Sequence, residues 1–228
     1  MPPPFTVVLN CAGVGRRLGL GQTKALVNVL GRPLIHWQLD LLKEVSDIRV
    51  VVGYNAQNVI EAVLARRRNA IFIFNHSYDS TATGDSLVLA ARHIDGDVLS
   101  LDGDLLIGPR EIAVLYRSEQ PVLGITPTLS EQAVFVEIES REGEFTAKGF
   151  SQVSRSPWEW TGLIRCPASE LVRAAIIRGR GPHHVFQLVA PLLPIKAVVV
   201  DTREIDTPGD YMRAAAWLAK QTVGGNWM

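Results

Sequence analysis

Two groups of residues in this chain have the types and spacing to do chemistry on phosphates. The first follows an apolar run: Asn10-Cys11-Ala12-Gly13-Val14-Gly15-Arg16-Arg17-Leu18, then Thr23-Lys24-Ala25-Leu26. A glycine-rich turn lets backbone N–H groups approach phosphate oxygens with no Cβ in the way. Arg17 and Lys24 can set two fixed cations beside the same oxygens. The same residues also suit a tight turn with solvated cations, and a short glycine pattern alone decides little. Two familiar phosphate loops are excluded by spacing. A Walker A loop requires Gly-Lys-Ser/Thr, whereas Lys24 lies between Thr23 and Ala25. A dinucleotide fingerprint requires a third glycine where Leu18 stands, and Gly19 is one position late.

The second group is acidic. Leu101-Asp102-Gly103-Asp104 closes an apolar run, and Glu204-Ile205-Asp206-Thr207-Pro208-Gly209-Asp210 lies far along the chain. Carboxylates converging from distant strands can hold a hard cation such as Mg²⁺ through oxygen, leaving positions for phosphate and water. The plainer alternative makes Asp102 and Asp104 a turn after a strand, and Asp206 or Thr207 the cap of a helix.

The elements that must position these groups alternate. Residues 5–10 form a β-branched run that reads as a buried strand. Pro33 opens a helix marked by Leu34, Ile35, Gln38, Leu41, Leu42 and Val45. Strands over 48–53, 71–75 and 98–101 alternate with helices over 56–67 and 85–93, which predicts a mainly parallel sheet covered on both faces. The second half is less regular: strands at 121–125, 133–138, 160–165 and 196–200, a turn at Glu142-Gly143, and helices at 169–177 and 208–220. No Pro-, Gly- or Ser-rich linker and no repeat divides the 228 residues, so one domain spanning 1–228 is the simplest reading.

Composition narrows the partners. Lys+Arg and Asp+Glu both total 23, so there is no cationic excess to hold nucleic acid or an anionic membrane. No uncharged apolar run approaches the ~20 residues that span a bilayer. The start, MPPPF, lacks the basic residues and apolar run of a secretory leader, which predicts a soluble, cytoplasmic chain. Two cysteines, Cys11 and Cys166, are too few for a disulfide framework. His183-His184 lacks spaced partners for a metal and reads as a solvated loop, while Arg66-Arg67-Arg68 ends a predicted helix, where cations suit the dipole, and reads as a solvated face.

The first motif resembles the signature of the GT-A-type nucleotidyltransferases, L-A-A-G-x-G-x-R-L followed by P-K-x-L. Ala12, Gly13, Gly15, Arg17, Leu18, Lys24 and Leu26 match, while Asn10-Cys11 and Thr23 depart from it. Gly31-Arg32-Pro33-Leu34-Ile35 and Val51-Val52-Gly53-Tyr54 resemble further blocks of the family. The resemblance implies a single-domain Rossmann-like α/β fold, with a mixed, mainly parallel sheet flanked by helices. It implies nucleotide binding in the N-terminal half and acceptor binding in the C-terminal half. The reaction implied joins a nucleoside triphosphate to a phosphorylated acceptor and releases pyrophosphate. In that family's pattern Asp104 and Asp206 bind Mg²⁺, Arg17 and Lys24 are catalytic, and Ala12, Gly13 and Gly15 hold the nucleotide. An Asp102-x-Asp104 pair is also similar to the metal motif of GT-A glycosyltransferases.

Asn75 to Leu87 is similar to the N-x-x-Y-x-x-T-N-x-x-x-S-L pattern of the phosphocholine and aminoalkylphosphonate cytidylyltransferases. Asn75, Tyr78, Thr81, Ser86 and Leu87 match, and Ala82 replaces Asn. That implies CTP as the favoured triphosphate, with Thr83, Gly84 and Ser86 near base or ribose; for Asp85 a helix cap is the preferred role. Trp158-Glu159-Trp160-Thr161-Gly162 resembles the segment where relatives hold a small acceptor, which two Trp faces and a carboxylate can grip. Core packing is the alternative for those rings. Lys148 or Arg155 would bind the acceptor phosphate. A sugar-1-phosphate or molybdopterin nucleotidyltransferase, or a catalytically silent nucleotide-binding regulator, remain the rival readings. The oligomeric state stays open, a dimer included.

Overall fold

The computed structural model describes residues 5–19, 21–130 and 132–223, apart from the side chain of residue 223. The start read for a leader, residues 1–4, lies outside them. In the N-terminal half, β1 (Phe5–Asn10) leads through the glycine turn to β2 (Asn28–Val29), β3 (Arg32–Pro33) and α1 (Leu34–Leu41). Then come β4 (Ile48–Val52), α2 (Ala56–Leu64), β5 (Ile71–Phe74), α3 (Thr83–Ala91) and β6 (Asp97–Asp102). The chain continues with β7 (Leu105–Ile107), α4 (Pro109–Arg117), β8 (Val122–Pro127), β9 (Phe135–Arg141), β10 (Glu144–Ser151) and β11 (Trp158–Pro167). It closes with α5 (Ala168–Arg178), α6 (Val185–Val189), β12 (Ile195–Val199), β13 (Thr202–Glu204) and α7 (Pro208–Val223).

Nine strands form one sheet in the order β5-β4-β1-β6-β11-β8-β12-β10-β9, so a single sheet runs through both halves of the chain. β5, β4, β1 and β6 are parallel neighbours, and only β11 and β10 run against the other strands. This is the expected mixed, mostly parallel α/β sheet. Its centre is dry because apolar side chains leave β1 on both faces. Val7 and Leu9 enter one core with α1, α2 and α4, while Val8 enters the other with α3, α5 and α6. All three are fully buried, as a central parallel strand demands.

β9 and β10 are joined by Glu142-Gly143, both with positive φ, the left-handed pair a tight two-residue hairpin needs. β10 escaped the reading from sequence because its ladder slips between Ala147 and Gly149 and breaks the alternation. The helices predicted over 33–45, 56–67 and 85–93 occupy the same places with shifted ends.

A two-stranded sheet of β7 and β13 lies beside the large one, with Glu204 opposite Leu105 and Thr202 opposite Ile107. Beneath it Leu106 and Ile205 pack with Leu18, Trp37 and the α7 residues Ala214, Trp217 and Leu218. This small core sets the distance between the end of β6 and the start of α7. Among the described residues no helix is long and apolar enough to cross a membrane.

Candidate active site

The ends of β1 and β6 are neighbours, Asn10 standing opposite Asp102. Asn10 Nδ2 donates to Ser100 Oγ at 3.0 Å and to Asp102 Oδ1 at 3.2 Å, which gives this departure from the small-residue pattern a structural reason. Gly103 N–H donates to the Asn10 carbonyl at 3.0 Å. A Cβ there would lie 2.9 Å from that oxygen and from Cys11 Sγ, so only glycine lets the two strand ends close. Gln38 of α1 grips the next turn: its Nε2 donates to the carbonyls of Asp102 and Leu105, both at 2.8 Å.

The glycine turn is held from below. Thr23 Oγ1 donates to the Cys11 carbonyl at 3.2 Å, and Tyr54 N–H donates to that of Ala12 at 3.0 Å. Gly15 has φ of 66°, and a Cβ on it would meet Gln22 O at 3.0 Å and Lys24 Cγ at 3.1 Å. Gly13 has open space around its Cα and is exposed, so no protein contact explains its lack of a side chain.

Cations and carboxylates then meet. Lys24 Nζ lies 2.6 Å from Asp104 Oδ2 and also bonds Asp206 Oδ1, while Arg17 reaches Asp206 Oδ2 at 2.8 Å. Arg17 donates from its other terminal nitrogen to Gln132 Oε1 at 3.2 Å. Burial alone would lower the Lys24 ammonium, but Asp104 and Asp206 outweigh it and hold its pKa above the ordinary value. Lys24 is 16% exposed, so the solvated-cation reading fails for it, whereas Arg17 is 52% exposed.

Oxygens of Asp104, Glu204 and Asp206 lie within 4.8 Å of one another. Asp104 Oδ1 is buried without a hydrogen-bond partner. Three carboxylates this close, one of them with an orphaned buried oxygen, fit a hard divalent cation such as Mg²⁺. Glu204, not among the expected ligands, joins this group through the β7–β13 pairing. Glu204 is exposed at its surface, yet desolvation of its carboxyl and the neighbouring charges of Asp104 and Asp206 raise its pKa above the ordinary carboxylate range. Asp102 stands apart from the three, between Asn10 and Gly162; burial, then the charge of Asp104, raises it to about 7. Burial, with Asp104 and Asp102 nearby, also raises the Cys11 thiol well above its usual range.

Thr207, not Asp206, caps α7. Its backbone N–H and its hydroxyl donate to Asp210 Oδ2, and Asp210 N–H returns a bond to Thr207 Oγ1 at 3.2 Å. Asp206 is thereby left to the cations.

The turn opening α3 is closed by a distant segment. Asp85 is the expected cap, accepting Ala82 N–H at 2.9 Å, but it also takes His183 N–H at 2.9 Å and lies 2.8 Å from His183 Nδ1. His183 is 7% exposed, which corrects the solvated-loop reading for it. Gly84 N–H is bonded to the His183 carbonyl, and a Cβ on Gly84 would sit 2.5 Å from that oxygen. Ser86 is buried, its hydroxyl accepting from Asn75 Nδ2 at 3.0 Å. Thr83 alone of the three expected base contacts is exposed.

In the second half the expected acceptor residues divide. Trp158 packs on Phe145, and Trp160 meets Phe150 and Phe186, both Trp side chains being partly buried. Glu159 is 6% exposed and accepts the Ser130 N–H and hydroxyl, each at 3.0 Å, so both of its oxygens are engaged away from the rings. Lys148 pairs with Glu139 at 2.7 Å; Arg155 is exposed. Arg67 is also more than a solvated cation, since it donates to the carbonyls of Leu42, Lys43 and Val45 behind α1.

The profile of the MobA-like NTP transferase domain matches residues 7–144. Among curated relatives, a 2-C-methyl-D-erythritol 4-phosphate cytidylyltransferase of Bifidobacterium longum subsp. infantis is 29% identical over 64% of this chain and 57% of its own. A bifunctional GlmU protein of Sorangium cellulosum is 32% identical over 57% of this chain and 30% of its own. The chain thus spans under two thirds of the length of these relatives. Among solved structures, the CTP:phosphocholine cytidylyltransferase of Streptococcus pneumoniae superposes with a TM-score of 0.76 at 19% identity, covering 94% of this chain and 99% of that one. The inositol-1-phosphate CTP transferase of T. maritima follows with a TM-score of 0.75 at 16% identity, covering 94% and 95%. These likenesses fix the fold that the strand order describes.

Proposed function

The chain belongs to the MobA-like NTP transferase family, and from that premise we propose that it joins CTP to a small phosphorylated or phosphonate-bearing alcohol or amine, releasing pyrophosphate with Mg²⁺ as cofactor. One observation carries the reading: Arg17 and Lys24 of the glycine turn share one ion network with Asp104 and Asp206 at the end of β6 and the start of α7. A fold of this kind binds its ligands outside the carboxyl ends of its parallel strands, where this network lies.

In the proposed reaction an oxygen of the acceptor phosphate attacks the α-phosphorus, and the bond to the β-phosphate oxygen breaks. Arg17 and Lys24 leave the carboxylates and take up the charge of the departing pyrophosphate. Backbone N–H groups at Ala12, Gly13 and Gly15 cradle the triphosphate, a role the open space at Gly13 accommodates. Mg²⁺ would be held by Asp104 and Asp206, joined by Glu204, and would supply neutralisation of phosphate charge. Thr83, at the exposed start of α3, faces the nucleotide; Gly84 and Ser86 shape that turn through His183 and Asn75. Trp158 and Trp160 wall the acceptor, and Lys148 or Arg155 meets its phosphate, Lys148 after release from Glu139.

CTP is supported by the Asn75–Leu87 pattern and by cytidylyltransferases among both the relatives and the structural neighbours. Ala82 in place of Asn, together with the likeness to a UDP-glucose pyrophosphorylase at a TM-score of 0.75, favours a sugar-phosphate uridylyltransferase as the second reading. Pyrophosphate release measured with CTP, UTP, ATP and GTP against a panel of phosphorylated acceptors decides between them. Turnover with CTP alone is expected. Turnover confined to UTP promotes the second reading, and none with any triphosphate rejects both.

A further inference from the structure

Between β8 and β9, Thr128, Ser130 and Val134 are each tied down. Thr128 donates from its backbone N–H to the Pro157 carbonyl at 3.0 Å and from its hydroxyl to that of Ser156 at 2.9 Å. Trp160 N–H donates to the Val134 carbonyl at 2.8 Å. Between these, Glu159 accepts both the backbone and hydroxyl protons of Ser130. A carboxylate buried to 6% exposure and bonded twice to one residue fixes that residue's position. Two residues beyond Ser130, Gln132 accepts from Arg17, the cation that also bonds Asp206.

We propose that Glu159 and Gln132 are positioning residues: Glu159 anchors Ser130, and Gln132, two residues on in the sequence, aims the Arg17 guanidinium at the phosphate site. An Arg side chain half in solvent has many rotamers, and each restraint on it removes freedom that phosphate binding would otherwise have to remove. With one terminal nitrogen on Gln132 and the other on Asp206, the fork is held at both ends before any ligand arrives. The inference rests on the reading of Arg17 as a pyrophosphate-binding cation, and it gives Glu159 a role other than contact with the acceptor.

The test is a set of double-mutant cycles read by calorimetric binding of inorganic pyrophosphate with Mg²⁺, which needs no turnover. Gln132→Ala and Glu159→Gln should each weaken pyrophosphate binding roughly three- to tenfold in the wild-type background and less than about twofold on Arg17→Ala. Ser130→Ala removes one of the two anchoring bonds from the opposite side and should follow Glu159→Gln in a smaller measure, even if the latter folds poorly. Where turnover is available, the triphosphate KM should rise while the acceptor KM stays unchanged. Losses that persist on Arg17→Ala overturn the proposal, as does a Glu159→Gln effect confined to the acceptor KM. Absence of pyrophosphate binding by the wild type overturns it together with the phosphate-cradle reading. Intact coupling with no turnover on any triphosphate rejects the cytidylyltransferase reading alone.

Discussion

Lys24 lies between Asp104 and Asp206, and its removal should destabilise the protein as well as inactivate it. A solvated loop cation, the alternative that the sequence allows for Lys24, would contribute about 0–1 kcal/mol to folding. The structure replaces that expectation, because the ammonium and both partners are 13–16% exposed. Breaking a fully buried pair costs about 3–5 kcal/mol, since the remaining charges lose their counter-ion but stay desolvated. An intermediate burial gives roughly 2–3 kcal/mol for Lys24→Met, which keeps the stem and deletes the charge. At about 2–4 °C per kcal/mol for a domain of this size, Tm should fall by roughly 5–10 °C.

The conditions of the assay follow from the same geometry. Thermal unfolding is followed in EDTA and again with Mg²⁺ at millimolar concentration, for wild type and variant. In EDTA the full drop is expected. Added Mg²⁺ should raise Tm more in Lys24→Met than in wild type, because a divalent cation then has Asp104, Glu204 and Asp206 without a competing ammonium. The gap in EDTA should hold from neutrality to about pH 9: a lysine whose folded pKa is raised contributes its stability fully below its ordinary value of 10.5 and loses it only above. An unchanged Tm in EDTA would refute the buried-pair argument. Equal Mg²⁺ responses would refute the metal assignment.

Asp104→Asn and Asp206→Asn should each reduce Mg²⁺-dependent turnover to background while leaving circular dichroism native, and turnover undiminished in EDTA would contradict this. Asp85→Asn should lower Tm at pH 7. Burial alone would raise the Asp85 carboxyl, but the N–H groups of Ala82 and His183 and the His183 ring outweigh it and lower the pKa. A depressed carboxylate contributes above its ordinary value of 3.8 and loses that contribution as the pH falls below it, so the gap between variant and wild type should close in acid. Gly103→Ala should cost about 1–3 kcal/mol, because its Cβ would lie 2.9 Å from the Asn10 carbonyl, a backbone atom that cannot swing aside; wild-type stability in denaturant titration would show that the strand ends can spread.

That Arg17, Lys24, Asp104 and Asp206 would meet was legible because each sits in a short local pattern whose spacing is itself informative. Residues 5–10 followed by Gly13, Gly15, Arg17 and Lys24 predict a strand and a turn, and the chain builds both. Glu204 was not legible as a neighbour of Asp104 and Asp206, since its place depends on two three-residue strands pairing across the molecule. Gln38 reads as one more position on a helical face, and nothing local tells that its amide reaches two carbonyls after β6. His183 and Asp85 are far apart in sequence, so the loop that closes α3 left no periodic trace. Glu159 was read through its Trp neighbours; strand alternation already places it on the opposite face from them, and that signal was available.

Arg17 and Lys24 look equivalent in the motif, yet their surroundings assign them different work. Arg17 is half exposed, and the two bonds that hold it, to one glutamine and one carboxylate, can be exchanged for phosphate oxygens at little cost to the fold. Lys24 is enclosed, and the carboxylates it neutralises are the same oxygens that fit a divalent cation. Before any ligand arrives, the ammonium therefore performs for Asp104 and Asp206 the electrostatic service that Mg²⁺ would perform afterwards. On the proposed reading, nucleotide phosphates that draw Lys24 away would expose the carboxylates, and a metal entering there would release Lys24 to the phosphates. Each step would lower the cost of the other, so the proposed function predicts that metal and nucleotide binding are positively linked through this one side chain.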